Sequence, residues 1–119
     1  MQLSERDLGY LVDMLRCCED ILEFTATVNF EQFASDRMRR LATERQLETL
    51  GEAANHVSEE TQRRFASIDW SRIIALRNKL AHDYGEILAE RVWQIAQNQI
   101  GKLRDQLRSV GAIEEALKD

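Results

Sequence analysis

Arginine, asparagine, histidine and tyrosine crowd into the segment Arg77-Asn78-Lys79-Leu80-Ala81-His82-Asp83-Tyr84. A histidine side chain can take the proton of a ribose 2′-hydroxyl or protonate a leaving 5′-oxygen, while an arginine stabilises the charge that builds on the phosphate between them. The chemistry these types support is RNA cleavage through a 2′,3′-cyclic phosphate. That scheme needs no metal, and the sequence supplies no ligand cluster of the usual spacings. Arg77 and His82 are the candidate catalytic pair. Asn78 shares the flank of His82 at i, i+4, and Tyr84 returns to the face of Arg77.

The element that carries these residues is expected to be a helix starting at Trp70 and capped by Asp69. At about 100° per residue, Trp70, Ile73, Ile74, Leu80, Ala81 and Tyr84 form one apolar stripe with Arg77 at its centre. Burying an unpaired guanidinium costs several kcal/mol, so Arg77 must be paired, face a water-filled cleft or lie at an interface. The structural alternative to a site is a buried ion pair with an acidic residue of another helix. Arg77 and His82 stand about 140° apart on an ideal helix. They converge only if the helix ends or bends between them, or if a second copy of the chain contributes; Gly85 offers such an ending.

The rest of the chain reads as a scaffold of helices. It has 119 residues, no proline, five glycines and an aromatic share of 7%, and the strong helix formers Leu, Ala, Glu, Arg and Gln dominate. Ser4 and Asp7 resemble a capping box for a first helix over about residues 4–26. Residues 25–33 lose the helical period and read as a connection, with Phe30 and Phe33 packing on the bundle. A second helix is expected over 36–57 and a short helix or turn over 58–68. The motif helix follows, and a fourth runs from about 86 to 110 until Gly111. The expected architecture is all-α, an antiparallel four- to five-helix bundle over residues 1–111 with a C-terminal tail over 112–119.

Net charge of −5 argues against a protein that grips nucleic acid through its overall field, so any RNA contact must be local. Local basic clusters occur at Arg37, Arg39 and Arg40, at Arg63 and Arg64, and at Arg72, Arg77 and Lys79, though most such clusters are solvated faces. Cys17 and Cys18 are adjacent, which excludes an ordinary structural disulfide between them and a CxxC zinc site; reduced thiols are expected. Neither a secretory signal pattern nor a membrane-spanning apolar run occurs, so a cytoplasmic location is expected.

Arg77-Asn78-x-Leu80-x-His82-x-Tyr84 resembles the RNxLxHxY signature of HEPN-domain proteins, specifically the HepT family of bacterial and archaeal toxins. The likeness extends to Phe30 and Phe33, Asp36, Arg45, the run Leu50-Gly51-Glu52-Ala53-Ala54, Ile68-x-Trp70-x-x-Ile73 and Val92-Trp93, in order over about residues 8–100. Departures lie outside the proposed chemistry: Leu88 follows Ile87 where the family often has Asp, and Ala66 and Ser67 stand where a proline is common.

The resemblance implies a bundle that forms a homodimer through its motif helices, and a metal-independent ribonuclease without cofactor in which Arg77 and His82 match the catalytic pair and Asn78 the supporting polar residue. Tyr84 matches the tyrosine to which a minimal nucleotidyltransferase (MNT) antitoxin attaches AMP. Arg45 and Glu52, seven residues apart on one face, are candidates for orienting Arg77, against ordinary surface ion pairing with Glu48. His56 reads as a surface or cap histidine, and Trp70 and Trp93 as core or interface anchors. A second functional reading is a non-catalytic HEPN module that serves as helical partner and AMP-accepting substrate of the nucleotidyltransferase.

Overall fold

In the computed structural model, which describes residues 3–118, every regular element is a helix: α1 (Glu5–Thr25), α2 (Phe30–Ser35), α3 (Arg37–His56), α4 (Glu59–Arg64), α5 (Trp70–Ile74), α6 (Leu76–Ala81), α7 (Gly85–Asn98), α8 (Ile100–Arg108) and α9 (Gly111–Lys118). The caps are local. Ser4 Oγ accepts from Asp7 N at 3.0 Å, and the Asp36 carboxylate accepts from Arg39 N at 3.1 Å. Each satisfies a backbone donor that the first helical turn leaves open.

The antiparallel pair α1–α3 forms the centre of the bundle. Leu11, Met14, Leu15, Cys18 and Ile21 of α1 are buried with Leu47, Leu50 and Ala54 of α3; each large side chain so buried contributes about 1.5–3 kcal/mol. Polar bonds fix the register at both ends. Arg39 Nη1 donates to Phe24 O at 2.6 Å where α1 ends and α3 begins. At the other end Asp7, buried on α1, accepts from Ser58 N (3.1 Å), Ser58 Oγ (2.6 Å) and Thr61 Oγ1 (2.6 Å). Helices α8 and α9 pack against α1, with Ile113 of α9 fully buried.

Several expected boundaries shift. The stretch after residue 25 is helical again from Phe30, because Asn29 and Gln32 make a reciprocal capping box; Phe33 is buried against Trp93, ring centroids 5.3 Å apart. The expected fourth helix is interrupted at Gln99 (φ −122°, ψ −34°), and Gly111 opens α9 instead of closing α8. The expected motif helix is interrupted at Ala75 and ends at Ala81. Its packing explains how closely it sits on α3: a Cβ at Gly51 would lie 3.1 Å from Ile73 O and 3.6 Å from Ile74 O. A side chain there would require the Ile73 carbonyl to give by a few tenths of an ångström.

Cys17 and Cys18 are free and buried, and burial pushes their thiols up to about 11 and about 12. Neither is a nucleophile at neutral pH. No helix among the described residues is long and apolar enough to cross a membrane.

Burial pushes the Asp7 carboxyl up, but its bonds from Ser58 and Thr61 outweigh this and hold it below the ordinary value of 3.8. A depressed folded value stabilises the fold above the unfolded pKa, and that contribution is lost as pH falls through the folded one. Asp7→Ala is therefore expected to lower stability at pH 7 by about 1–3 kcal/mol, seen as a lower thermal midpoint. The difference from the parent should narrow below about pH 3.8; an equal midpoint at pH 7 would remove Asp7 as the tie between α1 and α4.

Candidate active site

Helix α6 places the motif on an open face. Its buried positions are Leu76 and Leu80, which continue the stripe begun by Trp70 and Ile73. Arg77 therefore lies on the rim, its side chain 66% exposed, and not at the centre of a buried stripe. Ala81 and Tyr84, counted as apolar members of that stripe, are exposed as well, Tyr84 by 80%. The reason is geometric: Leu76, i+3 from Ile73 and i−4 from Leu80, shares their buried face, so the centre of the stripe lies there and Arg77 falls at its edge.

Arg77 Nη1 lies 3.2 Å from Glu52 Oε1 of α3. The ion pair with another helix is present, but in solvent, where such a pair contributes at most about 1 kcal/mol. Arg45, the other candidate for orienting Arg77, pairs instead with Glu48 at 3.8 Å on its own helix. Glu52 reaches Arg77 because the close approach at Gly51 brings its neighbour onto the first turn of α6.

His82 closes α6 as its C-cap (φ −95°, ψ −6°), exposed to solvent. The helix thus ends at His82 itself, three residues before Gly85. Gly85 does adopt the left-handed conformation (φ 56°), but as the first residue of α7. Among the described residues neither His82 nor Asn78 makes a side-chain hydrogen bond, so within one protomer Asn78 supports neither Arg77 nor His82. The structure brings Arg77 to Glu52 and leaves His82, Asn78 and Tyr84 open beside it.

One positioning residue was not evident from spacing. Asp83, between His82 and Tyr84, forms an ion pair with Arg91 of α7, its side chain only 15% exposed. This pair ties the loop after α6 to the next helix and so fixes the backbone on which His82 and Tyr84 stand. The i, i+8 spacing across a predicted turn offered no helical or strand pattern that would expose it. His56 is accounted for structurally: its Nδ1 lies 2.7 Å from Glu52 O and its ring packs on Tyr10, centroids 5.1 Å apart. Trp70 is a core residue whose Nε1 donates to Phe65 O at 3.1 Å, and Trp93 packs on Phe30 and Phe33.

Among the described residues no three His, Cys, Asp or Glu side chains are grouped so as to hold a metal ion. The groups available for chemistry on this face are a guanidinium, an imidazole, a phenol and a carboxamide. They can transfer protons and stabilise an anion.

The family model of HepT-like ribonucleases matches residues 14–110, a span that contains every residue of this face. A candidate RNase of Methanocaldococcus jannaschii is 30% identical over 109 residues, covering 91% of this chain and all of its own. A second from the same organism is 32% identical over 111 residues, 93% of this chain and 87% of its own. A protein of Thermococcus cleftensis named a probable ribonuclease HepT is 32% identical over 104 residues, 87% of this chain and 93% of its own. No solved structure matches the chain. With a matching family model over most of its length and relatives aligned nearly end to end, the chain belongs to the HepT-like ribonuclease family.

Proposed function

We propose that the chain is a metal-independent endoribonuclease, the toxin of a type VII HEPN/MNT toxin–antitoxin pair, acting through Arg77 and His82 in a site shared by two copies. The observation that carries this reading is the shared exposure of Arg77, Asn78, His82 and Tyr84, with His82 making no side-chain hydrogen bond among the described residues and Arg77 held by a solvated carboxylate. An RNA phosphate offers a guanidinium a stronger, two-pronged partner than exposed Glu52 does. On this reading Glu52 parks Arg77 and yields it to the substrate. His82 takes the 2′-hydroxyl proton, the 2′-oxygen attacks the adjacent phosphorus, and the P–O5′ bond breaks as the imidazolium of His82 returns that proton to the 5′-oxygen; Arg77 neutralises the phosphorane oxygens.

The shared site is supported by what else lies on that face. Met38, Leu41, Arg45, Glu48 and Glu52 form one stripe along α3, and Met38 (83%) and Leu41 (44%) are exposed. Arg40 and Gly85 line one cavity while Glu52 meets Arg77, so α6 and its loop run back along α3. Exposed Tyr84 and Ile87 therefore stand toward the Met38 end. An apolar surface bordering an incomplete site suits a second copy of the chain, which also removes the angular separation of Arg77 and His82.

Tyr84 is the proposed acceptor of AMP from an MNT-type antitoxin. Its exposure makes the phenol accessible to a transferase, and a bulky anion there would occupy the ground that RNA phosphate needs, beside Arg77 and His82. The same exposure suits the second reading, in which the chain accepts AMP but does not cleave.

Arg77→Ala and His82→Ala are each expected to reduce cleavage of total cellular RNA in EDTA by about 100-fold or more. Mixing the two inactive variants with subunit exchange should restore roughly a quarter of parental activity if each site draws Arg77 and His82 from different subunits. Full activity in both single variants would reject the assignment, and an inactive parent carrying no AMP would favour the non-catalytic module. Co-expression with the antitoxin is expected to add AMP masses to the Tyr84 peptide and none to Tyr84→Phe; modification at another residue would contradict the acceptor role.

A further inference from the structure

Seven of the sixteen Lys and Arg side chains of this acidic chain stand in ion pairs among the described residues. Of the exposed cations outside these pairs, Arg6, Arg16 and Arg37 are spread over α1 and the start of α3, whereas Arg72, Lys79 and Lys102 are grouped behind α6. They come from three separate helices, yet they line two adjoining clefts behind α6. The first, about 240 Å³, lies between α5 and the α7–α8 junction and includes Arg72, Gln99 and Lys102 over a floor of Leu50, Ile73 and Leu76. The second, about 280 Å³, includes Lys79 and again Gln99. Gln99, at the interruption between α7 and α8, lines both clefts.

Lys79 and His82 are three residues apart at the end of α6 and so are neighbours on its surface. The clefts thereby lead from the motif histidine past Lys79 and Gln99 to Lys102 and Arg72. Carboxylates in the clefts are fewer than these cations. Asp69 is turned to the N-terminus of α5, where it accepts from Arg72 N and Ser71 Oγ, both at 3.4 Å. Glu90 stands on the rim of the second cleft, and Arg91 there is already paired with Asp83. The first rim is braced, since Gln106 Nε2 donates to Ser67 O at 2.9 Å and Asn98 Nδ2 to Gln94 Oε1 at 2.9 Å. Gln99 has no side-chain partner among the described residues and offers an amide to a sugar or base edge.

We propose that these joined clefts are a track for the backbone of single-stranded RNA, with Arg72, Lys79 and Lys102 as its phosphate ligands, guiding the strand that flanks the cleaved bond toward His82. The assignment rests on the ribonuclease reading for its direction, but not for its chemistry. Narrow clefts lined by spaced cations and no aromatic platform fit a sugar-phosphate backbone, bound with little preference for sequence.

The test is binding of a fluorescent single-stranded 2′-O-methyl 12-mer, which cannot be cut, followed by anisotropy over a range of salt in EDTA. Arg72→Ala/Lys102→Ala is compared with the parent and with Arg6→Ala/Arg16→Ala, which removes two exposed cations of α1 outside both clefts. The cleft variant is expected to bind about 10-fold or more weakly, with the slope of log affinity against log salt reduced by about 1.4, or 0.7 per lost phosphate contact. The control should stay within about two-fold. Because all four side chains are exposed, thermal midpoints should match the parent and confirm folding. Equal losses in both double variants, unchanged binding by the cleft variant, or no binding by the parent would each overturn the track. Cleft-dependent binding by a parent that does not cleave natural RNA would sustain the track while removing the ribonuclease reading. Cleavage with cleft-independent binding would do the reverse.

Discussion

The approach of α3 to the motif segment at Gly51 is the constraint on which the site depends. With no side chain there, the backbone of α3 comes against the carbonyls of Ile73 and Ile74, closer than a Cβ allows without a shift of the neighbour. Two results follow for adjacent residues. Glu52, next along α3, comes within reach of Arg77, and Leu76 enters the core while Arg77 stays on the rim. Packing at one glycine thus positions a guanidinium in solvent, paired but not locked. The site needs such a residue, because a buried and fully paired arginine is unavailable to a substrate.

The second fixed point is the Asp83–Arg91 pair. Between it and the Gly51 contact, the residues of the motif are held by backbone placement while their side chains remain free. Arg77, Asn78, His82 and Tyr84 project from the end of a short helix and the turn after it, as reactive groups often do when a rigid scaffold supports a loop. The wider fold contributes stiffness: α1 and α3 are tied at one end by Arg39 and at the other by Asp7, so the face that α6 rests on has a fixed register.

Much of this was legible in the sequence where the signal is local. Ser4 and Asp69 cap the helices expected of them, because capping is decided by a side chain and a donor three residues on. The all-α class and the packing role of Trp70 follow from composition and periodicity. The breaks at Ala75 and Gln99 were not legible. Neither has a Pro or Gly, and both residues are compatible with helix, so tertiary packing overrides propensity there. The stripe drawn through Trp70, Ile74, Ala81 and Tyr84 leaves out Leu76, which shares the buried face of Ile73 and Leu80; with Leu76 included the centre moves away from Arg77, and Ala81 and Tyr84 fall toward solvent. Between Arg45 and Glu52 spacing alone could not choose; the close approach at Gly51 selects Glu52.

The central claim is that this face cleaves RNA by attack of the neighbouring 2′-hydroxyl, with an imidazole and a guanidinium as its catalytic groups. The most direct measurement is the chemistry of the ends left on a defined single-stranded RNA after digestion in EDTA. A 2′,3′-cyclic phosphate is expected on the upstream fragment and a free 5′-hydroxyl on the downstream one, with no cut where the attacking 2′-hydroxyl is replaced by hydrogen. A 5′-phosphate product, or cleavage that persists at the 2′-deoxy position, would contradict the claim.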